Sequence, residues 1–261
     1  MKSFSNTFFL SAGDANAEGC LALTALATKI IEIATEHANI LGIGNPEWEH
    51  LNVGWVLSRL TIEMTRYPKV NTEYVIKTWI EDFNRHFSTR CFSIEAPDGS
   101  PYGYARSIWM LMDATNHSNY GLGHIKLSQE LIKGDSVPIE RQQKHIPIMP
   151  PGTPPAETGK YLVATSEPYH YRFKYCDLDF YRHVNTVRYI AMLLNQFSLS
   201  EHDEYMIGRL ELSFLHEASF GMETVLYRSD ENDSPLLSSF QLYDVKGEKA
   251  LLFARVQRKT R

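Results

Sequence analysis

Asp177-Leu178-Asp179-Phe180-Tyr181-Arg182-His183-Val184-Asn185 runs from the end of an extended stretch into the start of a helix. Upstream, Tyr171-Arg172-Phe173-Lys174-Tyr175 reads as the strand; downstream, Val184, Val187, Ile190, Leu194 and Phe197 recur at helical spacing. Backbone N–H groups at a helix start lack intrahelical partners and carry partial positive charge. An acid or an imidazole in this turn therefore lies beside a natural seat for a polarised or anionic oxygen. An aspartate before a helix is most often an N-cap, and that role suffices for Asp177. A lone histidine at a helix start is likewise more often a surface or core residue than a catalytic one.

The order of elements around this segment occurs twice. The second half presents a strand, the turn, a helical stretch, then Met206–Leu215, Met222–Asp230 and Ser238–Lys259 as strands. The first half presents the same order, with a helical stripe of Leu26, Ile30, Ile33, His37 and Leu41. Its later strands are rich in Tyr74, Val75, Ile76 and Trp79, matched by Val225, Leu226 and Tyr227. Asp98-Gly99 and Lys246-Gly247 mark hairpin turns. Arg59 and Arg209 lie 150 residues apart, Gly99 and Gly247 148, and the Ala-Arg pairs at Ala105 and Ala254 149. Asp14 and Asp177 are 163 apart, which places an insertion around Gly42 to Val53. A duplicated module explains these offsets, and a helix buried against an antiparallel sheet, made twice, is an α+β architecture.

Between the halves, Pro138, Pro147, Pro150, Pro151, Pro154 and Pro155 crowd the stretch from Lys133 to Lys160. Proline lacks a backbone donor and pushes its predecessor toward extended conformations, so this reads as a linker. The expected domains are 1–132, the linker 133–160, and 161–261.

The 261 residues carry a net charge of −5, which argues against a bulk nucleic-acid binder. No apolar run reaches the roughly 18 residues of a membrane span, and mean hydropathy is −0.29. The first residues lack the basic, apolar, small-residue order of a signal peptide. Cys20, Cys91 and Cys176 form no CxxC pair, which fits a reducing compartment. The expected location is cytoplasmic. No metal-ligand spacing, phosphate loop or dinucleotide fingerprint occurs, and His86, His117, His124 and His145 are scattered, so neither metal nor cofactor is expected.

These residues, taken in order, resemble the hotdog-fold thioesterases. More narrowly, the chain is similar to the acyl-acyl carrier protein thioesterases, a plant and bacterial family with two hotdog modules in tandem. The resemblance covers nearly the whole chain: Ala34–Gly44, Trp55–Trp79 and Ala105–Asp113 in the first half, Asp177–Ile190 and His216-Glu217 in the second. It implies hydrolysis of a fatty acyl thioester on acyl carrier protein, which releases the fatty acid and ends chain elongation. By resemblance, Asp179 takes the family's catalytic aspartate position, as nucleophile or base. His183 takes its histidine position, orienting substrate and stabilising charge on its oxygen, and Glu217 takes the glutamate position, activating water. Tyr181 stands where the plant members have an asparagine, and Ala218 where they have a cysteine. Asn185 joins the substrate-binding set.

The first half's turn, Asp14 to Gly19, lacks the histidine and the Val-Asn that follows it. The resemblance gives that half the acyl chain instead, with Leu26, Ile30, Ile33, Trp55, Leu57 and Trp79 as candidate walls. The carrier is acidic, so Lys174, Arg182 and Arg188 are the expected dock. Acyl-coenzyme A hydrolysis, or binding of an acyl thioester without catalysis, stays open at this point, as does a homodimer.

Overall fold

Leu23, Leu26, Ala27, Ile30, Ile33, Ala34 and His37 recur every three or four residues, and in the computed structural model they form the buried stripe of helix α1 (Leu23–Ile40). The helix stops at Gly42, whose φ of 68° suits glycine. Gly42 N–H donates to Asn39 O at 3.0 Å and Ile43 N–H to Ala38 O at 2.9 Å, the two bonds of a Schellman C-cap. The structure describes residues 2–116, 118–125, 127–154, 161–231, 234–246 and 249–261. His117, Gly247 and residues 155–160, including Pro155 and Lys160, lie outside them.

The chain forms two units, Met1–Glu140 and Arg141–Arg261. The first contains β1 (Ser3–Phe9), α1, a short α2 (Asn45–Trp48), β2 (Val53–Met64), β3 (Glu73–Phe83), β4 (Ser88–Glu95) and β5 (Pro101–Asp113). Its strands pair antiparallel in the order β1-β3-β4-β5-β2. The second has a two-stranded parallel ribbon, β6 (Ile148–Met149) with β7 (Leu162–Val163). It continues through β8 (Tyr169–Arg172), α3 (Thr186–Leu194), α4 (Leu199–Glu204), β9 (Tyr205–Phe214), β10 (Glu223–Glu231), β11 (Ser234–Asp244) and β12 (Ala250–Thr260). These strands pair antiparallel as β8-β10-β11-β12-β9. The architecture is α+β, with long antiparallel strands and few helices. Among the described residues no helix is long and apolar enough to cross a membrane.

Cross-strand partners share a face, and the register assigns the faces of the first sheet. Ile80 opposes Arg90, and Arg90 Nη1 donates to His37 Nδ1 of α1 at 2.8 Å and to Thr78 Oγ1 at 3.3 Å, so this face meets the helix. Burial lowers the Arg90 pKa to about 10. Trp79 opposes Cys91 on the other face, where both pack against Val137 and Ile139. Trp79 Nε1 donates to Asp135 O at 2.6 Å. Beside it, Arg106 pairs with Glu81 at 3.0 Å and donates to Ser136 Oγ at 2.6 Å.

The start of the proline-rich stretch is therefore an extended strap laid on the outer face of the first sheet. From Arg141 it serves the second unit in the same way. Gln142 donates to Leu212 O at 3.0 Å, the His145 ring stacks on Phe253 with centroids 3.8 Å apart, and Ile148 N–H donates to Gln241 Oε1 at 2.5 Å.

The second helix buries a broader face than its apolar stripe predicts. Tyr189, Ile190, Met192 and Leu193 are its buried residues, while Val187 and Leu194 are half-buried and Val184 and Phe197 flank it. Val184, Ile190 and Phe197 of the expected stripe are buried, and the buried face extends further to Tyr189, Met192 and Leu193.

Ile30→Ala should destabilise the protein by about 2–5 kcal/mol, because the side chain is wholly enclosed. Thr35→Ala on the exposed side of α1 should change stability by less than about 0.5 kcal/mol. Urea denaturation of both variants checks the assignment of the faces.

Candidate active site

Strand β8 leads into the turn through Asp177. Its Oδ2 accepts the Lys174 N–H at 2.7 Å and the Tyr171 hydroxyl at 3.0 Å, and the side chain is buried. Asp177 thus latches the turn to the strand and does not cap α3. The cap is Asn185, whose Oδ1 accepts the Val187 N–H at 3.1 Å. The Asn185 N–H in turn donates to Asp177 O at 2.8 Å.

Between these anchors one carboxylate closes the loop. Asp179 Oδ1 accepts the N–H groups of Tyr181 at 2.9 Å and His183 at 3.0 Å. The Asp179 N–H donates to His183 O at 2.8 Å, and its carbonyl accepts Arg182 N–H at 3.0 Å. Asp179 Oδ2 has no donor among the described residues. The turn forces Arg182 to φ 67°, which costs a non-glycine residue on the order of 1 kcal/mol.

A second segment meets this turn. Val184 N–H donates to Ala218 O at 2.9 Å, and His183 bridges to Ser219. This backbone pairing brings Glu217 to the histidine, with His183 Nε2 3.4 Å from Glu217 Oε2 and both side chains 37% exposed. Below them lies Tyr189, only 4% exposed, its ring held edge-on by Phe173 at 5.7 Å and Phe214 at 5.6 Å. Burial, reinforced by the Glu217 and Asp179 carboxylates, pushes the Tyr189 phenol well above its ordinary range, so it stays a neutral hydrogen-bond donor.

Asp179, His183, Glu217 and Tyr181 are thus brought to one turn. Tyr181 engages Asp179 through its backbone; its phenol ring lies against Phe180 with centroids 3.9 Å apart and is 54% exposed. Lys174, Arg182 and Arg188 are exposed around the turn. Leu26 and Ile30 lie in the helix–sheet core of the other unit, as does Ile33, whereas Trp79 faces away from α1. Trp55 packs beside Leu111, and its Nε1 donates to Ile43 O at 2.7 Å. These binding candidates therefore do not line one surface. Tyr189 escaped the sequence reading because a tyrosine between Arg188 and Ile190 suits either helix face; its spacing of four from Leu193 was the available signal. Among the described residues no group of three or more His, Cys, Asp or Glu side chains is placed to hold a metal ion.

The first unit builds the same turn from other residues. Asn16 N–H donates to Cys20 O at 2.8 Å, Asn16 Oδ1 accepts Cys20 N–H at 2.9 Å, and Gly19 N–H donates to Asn16 O at 3.0 Å. Leu21 N–H donates to Pro68 O at 2.9 Å, and Cys20 bridges to Lys69. Gly19 has φ 68°, matching Arg182. Position for position, Asn16 replaces Asp179, Cys20 replaces His183 and Tyr67 replaces Glu217.

A carboxylate, an imidazole and a second carboxylate gathered at a helix start, with a buried phenol beneath, form equipment for general acid–base chemistry on a polarised carbonyl. The chain belongs to the acyl-ACP thioesterase family: models of the family's N-terminal and C-terminal domains match residues 1–119 and 162–254. A palmitoyl-acyl carrier protein thioesterase of Gossypium hirsutum is 25% identical over 85% of this chain and 53% of its own length, so the chain spans about half of such curated relatives. An acyl-ACP thioesterase structure from Bacteroides thetaiotaomicron superposes with a TM-score of 0.84 at 23% identity, over 98% of both chains. The 12:0-ACP thioesterase of Umbellularia californica gives 0.77 at 18% identity, over 99% of this chain and 98% of that one. At these identities the structural likeness establishes the fold.

Asp179→Asn should leave thermal stability within about 0.5 kcal/mol of the parent, because Asn16 already closes this turn with an amide oxygen. Asp179→Ala orphans two N–H groups and should cost about 1–2 kcal/mol. Arg182→Gly should stabilise by about 1 kcal/mol. Calorimetry of the three variants reads all of these shifts.

Proposed function

We propose that the protein hydrolyses the thioester of a fatty acyl group carried by acyl carrier protein, releasing the fatty acid and ending chain elongation. The observation that carries this reading is the convergence of Asp179, His183 and Glu217 in one unit, while the other unit keeps the turn and none of the three. The same comparison supports a tandem of two hotdog modules. They share strand order, a helix against the sheet, and a turn repeated at a constant offset of 163 residues. The modules are then 1–132 and 161–261, with 133–160 as the linker between them.

In the reaction, water adds to the acyl carbon, the C–S bond breaks, and a proton passes to the departing sulfur. Glu217 accepts the proton of the attacking water. His183, 3.4 Å away, relays it to the leaving thiolate and stabilises charge on the substrate oxygen. Asp179 commits one oxygen to the turn and presents the other to the reacting group. The N-terminal dipole of α3 favours the developing oxyanion. Asn185 acts through this helix start by capping it, and Tyr181 offers its phenol at the rim. Tyr189 is a positioning residue: its buried phenol hydrogen-bonds the backbone at Ala218, next to Glu217, and feels the charge of both carboxylates.

The first module, whose turn lacks the aspartate, histidine and glutamate of the second, holds the acyl chain along α1 at Leu26 and Ile30. Trp79 belongs to the cluster on the module's outer face, and Trp55 to a separate cluster with Val53, Leu111 and Leu122. Lys174, Arg182 and Arg188 receive the acidic carrier. The three cysteines are all free thiols, in keeping with work in the cytoplasm, and self-association as a homodimer is compatible with this scheme.

Thiol release from acyl-acyl carrier protein tests the reading directly. Asp179→Asn and Glu217→Ala should each slow turnover by at least about a hundredfold; undiminished turnover in both would place the chemistry elsewhere. Tyr189→Phe keeps the ring packed and removes only the hydroxyl. It should lower kcat about two- to tenfold with KM unchanged, since a neutral hydrogen bond such as the one to the Ala218 backbone contributes about 0.5–1.5 kcal/mol.

A further inference from the structure

We infer that the exposed rings of Tyr175, Phe180 and Phe220, framed by Arg172, Lys174 and Arg182, form the surface on which the acidic carrier protein docks, a proposal that rests on the reading that substrate arrives on such a carrier. Tyr175 is 82% exposed, Phe180 84% and Phe220 66%, and among the described residues no other aromatic ring is as exposed. Single exposed apolar residues are ordinary, but large rings gathered on the two segments that pair at His183 and Ser219 mark an interaction site.

The duplicated turn supplies an internal control. Where the second unit has Phe180, Tyr181 and Arg182, the first has Ala17, Glu18 and Gly19. Phe220 corresponds to Val70, 150 residues earlier, as Ser219 does to Lys69. Closing the turn needs none of these rings, and at the left-handed position glycine is the relaxed choice. Arg182 holds that strained backbone at φ 67° and is exposed, so its guanidinium has a use outside the fold. The side-chain charge of the three turn positions changes from −1 to +1 between the units.

Arg172 and Lys174 extend the positive edge, and the acid between them and the turn, Asp177, is buried in its own hydrogen bonds. A chain of net charge −5 thus gathers exposed basic groups and bare aromatic rings around one turn. An acidic partner with apolar side chains on its docking face is the complement, and its placement delivers a thioester to the turn itself.

The test compares one acyl group on acyl carrier protein with the same group on N-acetylcysteamine, using the full chain with Phe180→Ser and Phe220→Ser combined, and separately Arg182→Gly. Binding of holo acyl carrier protein is titrated in parallel at low and physiological salt. The double variant should lose at least tenfold in kcat/KM on the carrier substrate, through KM, with hydrolysis of the small thioester unchanged. Arg182→Gly should bind the carrier more weakly and with a shallower salt dependence while melting at a higher temperature, a combination that structural damage does not produce.

Equal loss on both substrates, or no loss on either, overturns the proposal. If the parent protein hydrolyses neither thioester, the hydrolytic reading falls, and the titration still decides docking. Carrier binding absent in the parent, or undiminished in the double variant, then overturns it. So does a parent dimer that the double variant converts to monomer in sedimentation, which would make the patch a contact between copies.

Discussion

Two backbone N–H groups, those of Tyr181 and His183, converge on one carboxylate oxygen of Asp179, and the reactive corner depends on that closure. Side-chain acceptors compete with regular structure for backbone donors; here the competition holds five residues in a loop between a strand and a helix. Once closed, the loop aligns Val184 and His183 with Ala218 and Ser219, and the strand-like pairing carries Glu217 to the imidazole. Removing the acceptor would release the histidine's backbone, and with it the 3.4 Å contact. Asp179 therefore has two jobs on two oxygens, one architectural and one chemical.

Asn16 and its neighbours separate those jobs. An amide oxygen closes the same turn in the first unit with nearly the same distances, so the geometry does not call for a carboxylate. What the second unit adds is a carboxyl group at Asp179, an imidazole at His183 and a carboxyl group at Glu217, a buried phenol at Tyr189, and left-handed strain at Arg182. Strain that glycine would relieve persists where a side chain is useful, and functional sites commonly trade stability for such placements. The two turns differ chiefly in what they present to solvent and substrate.

Much of this was legible in the sequence, for identifiable reasons. The Asp179–His183–Asn185 spacing survives reading because a turn closed by local hydrogen bonds has little freedom to be anything else. The α1 stripe was legible because its apolar positions are uninterrupted over four turns. The start of the proline-rich stretch is extended, as proline geometry requires, but its packing against Trp79, Glu81 and Arg106 depends on residues about 30–60 positions away and leaves no local trace. The facing of Trp79 likewise follows from strand register, and a tryptophan in an alternating strand suits either side. In α3, nine residues with apolar groups on several sides allow more than one buried face, and tertiary packing selected the one that includes Tyr189. The Asn185 side chain caps α3; a cap and a binding group share the same residue types at a helix start, so the sequence does not separate the two.

The central claim is that the second unit's turn is the first unit's scaffold with chemistry installed. Its most direct test replaces residues 179–183 with Asn-Ala-Glu-Gly-Cys, the residues at 16–20. Calorimetry and thiol release are then run on the same sample. The account predicts a folded protein that melts no lower than the parent and whose thiol release is indistinguishable from the uncatalysed background. A protein that fails to fold would show that the two turns are not interchangeable, and one that folds with turnover intact would show that the chemistry does not reside there.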